Sequence, residues 1–61
     1  MKRRDLLRHL QFNGCVLLRE GACHTIMINL STRKKAPVPR HSEVSDWLVR
    51  KICAQLGVPQ P

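Results

Sequence analysis

The hydrophobic period of this chain changes twice along its length, and few folds of its size accommodate that. Residues 2 to 13 place Leu6, Leu7 and Leu10 on one side at helical spacing, and Asn13-Gly14 supplies a left-handed stop. The period then becomes two. Cys15 to Glu20 and His24 to Asn29 are short runs rich in Val, Leu, Ile and Thr, joined through Gly21 and Ala22, and they predict two strands of a hairpin. Asn29 to Lys35 is a polar, basic loop. Ala36 to Val38 can add only a brief strand, expected at an edge, because Pro37 has no N–H to give a ladder. Helical spacing returns with Val44, Trp47, Leu48, Ile52 and Leu56. Ser42 is the expected N-cap, Glu43 and Asp46 put negative charge near the positive helix end, and Gly57 and Pro59 close the helix.

This order predicts an α+β fold, αβββα, with a three-stranded antiparallel sheet and two helices on one face. Residues 1–61 are expected to be one domain, and a chain this short buries only about 60% of the surface it exposes when unfolded. A partner would therefore stabilise it appreciably. Trp47 is expected in the core by its spacing. Phe12 is the only other large aromatic, so the chain lacks the stacking platforms on which single-strand readers lay bases.

Eleven Lys or Arg against four Asp or Glu give a formal charge of +7, which makes polyanions the natural partners and nucleic acid the favoured one. The cations fall into groups. Lys2, Arg3 and Arg4 stand at the start of the first helix, where the macrodipole prefers anions, and Arg33, Lys34 and Lys35 occupy the loop before the edge strand. Arg40 follows that strand. Placement against helix stability points to a ligand, and these seven are the expected contacts to a phosphate chain, RNA or DNA, since charge alone does not choose between them. If about four of them meet single-stranded RNA, log affinity should fall with log salt at a slope near −3, from ~0.7 counterions per contact.

No stretch approaches the ~20 consecutive apolar residues of a membrane span, and no apolar leader with a cleavage site precedes the first helix, so a cytoplasmic protein without membrane contact is expected. Cys15, Cys23 and Cys53 are odd in number and widely spaced, which fits reduced thiols. They do not form a metal-ligand pattern with the histidines, and no metal or cofactor is expected.

Of three histidines, His9 lies near the polar side of the first helix, with a solvated or Asp5-paired role, and His41 precedes the second helix, where it can support the turn or meet phosphate. His24 begins the second strand behind a Gly-containing turn. By alternation it shares a side with Ile26 and Ile28, so a histidine capping the core stands beside a functional one, and a bulge near Ala22-Cys23 or a place at the core's margin would expose it.

The segment Glu20-Gly21-Ala22-Cys23-His24-Thr25-Ile26 resembles the Gly-x-x-His start of a strand in HicA-type toxins. Ala36-Pro37-Val38-Pro39-Arg40-His41, followed by a helix ending Gln55-Leu56-Gly57-Val58, is similar to their second half. The likeness covers essentially the whole chain. It implies a double-stranded-RNA-binding-like fold, cleavage of mRNA, neutralisation by a HicB-type antitoxin, and His24 as the functional histidine. Cys23 stands where small or amide residues are more usual.

That chemistry suits the residues. RNA carries its own nucleophile in the 2′-hydroxyl, so cleavage needs a base, an acid for the leaving 5′-oxygen, and cations for the phosphorane. An imidazole can serve near neutral pH without a metal. His24 is the catalytic expectation of a metal-independent endoribonuclease, with His41 as a candidate auxiliary group. The alternatives are a noncatalytic RNA-binding module, with His24 structural, and a basic protein-interaction domain.

Overall fold

The computed structural model describes residues 1–61. Helix α1 spans Arg3–Phe12, strands β1, β2 and β3 span Cys15–Glu20, His24–Asn29 and Lys35–Pro39, and helix α2 spans Asp46–Leu56. The three strands form one antiparallel sheet in the order β1-β2-β3, so the expected αβββα architecture is present and β3 lies at an edge. Gly14, at φ 85°, makes the turn out of α1 that Asn13-Gly14 predicts. A left-handed Gly57, at φ 72°, ends α2, its N–H donating to the Ala54 carbonyl.

One side of the sheet is covered and the other is not. Leu6 and Leu10 of α1, Val49, Ile52, Cys53 and Leu56 of α2, and Cys15, Met27, Ala36 and Val38 of the sheet form one buried cluster with Val44. The register pairs Met27 with Ala36 and Thr25 with Val38, which fixes Thr25, Met27 and Asn29 on the helix side of β2. His24, Ile26 and Ile28 therefore lie on the opposite, helix-free side. The expectation that Ile26 and Ile28 mark the core face is reversed: Ile28 is only 7% exposed yet does not belong to the core cluster. Alternation correctly groups these three residues, but it carries no label saying which group meets the helices.

Two further expectations are corrected at α2. Its N-cap is Ser45, whose hydroxyl accepts from the Leu48 N–H at 3.4 Å, while Ser42 lies outside the helix and accepts from the Arg3 N–H at 2.8 Å through its carbonyl. With the helix starting at Asp46, its apolar stripe is Val49, Ile52, Cys53 and Leu56, and Trp47 lies roughly 200° round from Val49. Trp47 is accordingly 62% exposed rather than in the core, with the Lys51 ammonium 5.2 Å from its ring centre.

The ends of the chain are tied to the fold. Met1 and Val44 exchange two backbone hydrogen bonds, at 2.8 and 3.0 Å, and the backbones of Lys2 and Glu43 lie paired antiparallel, so the start of α1 is anchored beside the segment that leaves β3. Asn29, buried at the end of β2, donates its side-chain N–H to the Leu56 carbonyl at 2.8 Å and so joins the sheet to the end of α2. Burial raises the Cys15 and Cys53 thiols above their usual range, and a Cys15 thiolate would add to the rise at Cys53.

Candidate active site

The site is built where β1 ends and β2 begins. The ladder steps from Leu17 opposite Met27 to Arg19 opposite Ile26, so Leu18 is an extra residue, a bulge in β1. The bulge lies in β1 rather than near Ala22-Cys23, and it changes which side the last residues of β1 face. Uninterrupted alternation would put Arg19 with Cys15 and Leu17 on the helix side. After the bulge, Arg19 shares the helix-free side with Ile26 and His24, and Glu20 shares the helix side with Thr25. The Thr25 hydroxyl confirms the second placement, donating to Glu20 Oε1 at 2.8 Å.

Two arginines hold this end of the sheet in place. Arg40 donates from Nε and Nη2 to Glu20 Oε1, at 3.2 and 2.8 Å, and reaches the carbonyls of Gly21, Ala22 and His24. One guanidinium thus closes the β1–β2 turn from the end of β3. Arg3 donates from Nε to the Pro39 carbonyl at 2.8 Å and from Nη2 to the Thr25 hydroxyl at 2.7 Å, so α1, β2 and β3 meet in the same network. Hydrogen bonds from Arg40 first, then Thr25, hold the Glu20 carboxyl below the usual carboxylate range.

His24 is exposed on the helix-free side, opposite Pro39. Its backbone carbonyl accepts from Gly21 at 2.8 Å and from Arg40, while its imidazole is open to a ligand. Gly21 is not in the left-handed region; what its lack of a side chain provides is room, because a Cβ there would come within 3.1 Å of the His24 carbonyl oxygen. Cys23, immediately before His24, is exposed.

The expected RNA contacts divide between two places. Lys2, Arg3, Arg4 and Ser42 line a shallow cleft of about 270 Å³ at the start of α1, at the Pro39 end of β3. His41 is exposed two residues beyond Pro39 and so belongs to the same end as His24. Arg33, Lys34 and Lys35 are exposed at the other end of β3, about 13 Å away along the strand at ~3.3 Å per residue. His9 is elsewhere: its Nε2 meets the Pro59 carbonyl at 2.6 Å, which ties the C-terminal segment to α1 in place of any pairing with Asp5. Arg19 was not among the expected contacts, because the bulge that turns it toward His24 leaves no mark in the residue pattern.

The αβββα fold is the one that the resemblance predicts, and comparison with known families returns the same family. The model of the family described as HicA toxin of bacterial toxin-antitoxin matches residues 3–58. The chain belongs to the HicA toxin family. The HicA match runs from the first residue of α1 to just past α2, so every element of the fold lies within it. No curated protein and no solved structure gives a significant match. Membership makes the chain a toxin of a toxin-antitoxin system, a HicA partner to an antitoxin. None of its helices is long and apolar enough to cross a membrane.

Proposed function

We propose that this HicA-family toxin is a metal-independent endoribonuclease that cleaves mRNA, with His24 as its catalytic group. The observation that carries the reading is the exposure of the His24 side chain on the helix-free side of a sheet whose end is fixed by Arg40, Glu20, Thr25 and Arg3. A histidine held by a rigid backbone and left open to solvent is suited to proton transfer rather than to packing.

In the proposed reaction His24 takes the proton of a ribose 2′-hydroxyl. The 2′-oxygen forms a bond to the adjacent phosphorus, the bond from phosphorus to the 5′-oxygen breaks, and the leaving oxygen takes up a proton, for which His41 is the candidate donor beside water. Lys2, Arg4 and the outward surface of Arg3 attract the chain at the cleft, and Arg33, Lys34 and Lys35 receive it at the far end of β3. Val16, exposed on β1 and opposite Ile28, adds apolar surface on the same side, so an antitoxin of the HicB type docking there would cover His24 as well.

Induction of the wild-type chain and of His24→Ala at equal protein levels in bacterial cells tests the reading. Wild type is expected to arrest growth and shorten mRNA, whereas the variant does neither. Arrest by both to the same extent would remove His24 from the activity.

A further inference from the structure

We propose that Arg19 is the residue that holds the scissile phosphate beside His24, an assignment that rests on the ribonuclease reading above. Four observations carry it. The bulge at Leu18 turns Arg19 onto the helix-free side, where its register partner Ile26 is two residues from His24 on the same strand. The guanidinium extends over the turn, since a Cβ on Gly21 would lie 3.7 Å from Arg19 Nη1 and 3.1 Å from the His24 carbonyl oxygen. Gly21, which has no side chain, leaves the space beside that guanidinium open. Finally, Arg19 has no carboxylate partner, in contrast to Arg40, which is paired with Glu20, and Arg8, which is paired with Asp5.

A planar guanidinium with parallel N–H donors matches two non-bridging phosphate oxygens, and its charge is fixed at every pH that matters to an imidazole. On the same side of the sheet as His24, it grips the phosphate whose neighbouring 2′-hydroxyl the imidazole deprotonates. Arg19 exchanges no proton and forms no bond. As negative charge grows on the phosphorane oxygens its hydrogen bonds strengthen, which lowers the barrier more than it tightens substrate binding. The clustered cations at the two ends of β3 draw RNA in, and Arg19 acts at the linkage itself.

Single-turnover cleavage of a mixed-sequence single-stranded RNA, in EDTA, tests the assignment with wild type, Arg19→Ala, Arg19→Lys and Arg50→Ala. Arg50 is exposed on α2, away from the site, and its removal controls for the loss of one charge. Arg19→Ala is expected to lower the rate constant about 10²-fold while half-saturation moves little, the pattern of a lost transition-state donor. Arg19→Lys should recover part of the rate, because the charge returns without the fork. Arg50→Ala should keep the wild-type rate constant. A folded Arg19→Ala that cleaves as fast as wild type, or one matched by Arg50→Ala, overturns the assignment of Arg19 alone. A wild-type protein that leaves the RNA intact overturns the ribonuclease reading, and the assignment with it.

Discussion

The two ends of β3 carry the same kind of charge and are built differently. At the Pro39 end, Arg3 and Arg40 direct their N–H groups to protein oxygens: the Pro39 carbonyl, the Thr25 hydroxyl, the Glu20 carboxylate and the carbonyls of the β1–β2 turn. At the Lys35 end, Arg33, Lys34 and Lys35 are exposed and none joins an ion pair. The charge of Arg3 and Arg40 is scaffold, whereas that of Arg33, Lys34 and Lys35, like that of Lys2 and Arg4 beside the scaffold, stays on the surface without an ion pair. A count of basic residues treats the two alike, whereas their hydrogen bonds distinguish them.

Exchanging residues between the two kinds gives the sharpest contrast. Arg40→Ala should lower cleavage roughly 10²-fold, the scale of a small misplacement of a catalytic group, and hydrogen exchange at the Gly21 N–H should accelerate as the turn loosens. The Lys34→Ala/Lys35→Ala double variant should instead keep its rate at saturation, raise the RNA concentration needed to reach it, and reduce the salt slope by about 1.4, ~0.7 for each ammonium group removed from the phosphate chain. Equal behaviour of the two variants would erase the distinction between scaffold and surface.

A smaller effect is expected in stability. Arg33 is the only residue other than glycine with positive φ, at 64°, a conformation that glycine adopts without steric cost. Arg33→Gly should therefore raise stability by about 0.5–1 kcal/mol in a denaturant titration while weakening RNA binding. Gain in one and loss in the other would mark a residue kept for its ligand. A loss of stability would show that the side chain supports the loop.

The smallest expected effect is local and depends on pH. Because the folded state lowers the Glu20 pKa, its contribution is complete above the usual carboxylate range and is lost as pH falls through the lowered folded value. Acidification below that range should loosen the β1–β2 turn before the core unfolds, seen as earlier exchange at Gly21. Glu20→Gln should show little of this dependence. A turn whose exchange is unchanged across the same interval would mean that the Arg40–Glu20 pair does not hold it.

Much of the fold is legible in the residues. The strands Cys15–Glu20 and His24–Asn29 follow from composition and turn residues, and both helices follow from apolar spacing. Side assignments are less legible, for physical reasons. β2 has apolar residues on both sides, Met27 beneath the helices and Ile26 and Ile28 opposite, so alternation separates two groups without ranking them. Trp47 joins the helical series of Val44 and Leu48 only if the helix begins before Val44; with Ser45 as cap it does not. The bulge at Leu18 is a property of pairing between strands, invisible in either strand alone, and it decides that Arg19 rather than Leu18 faces the His24 side. Arg40, grouped from sequence with the RNA contacts, turns out to hold the turn through tertiary partners 16 to 20 residues away.

Purified protein incubated with single-stranded RNA in the presence of EDTA, wild type beside His24→Ala, reaches the central claim most directly. With folding of both verified by circular dichroism, wild type should fragment the RNA and the variant should bind it without cutting. A folded His24→Ala that cuts at the wild-type rate would contradict the account.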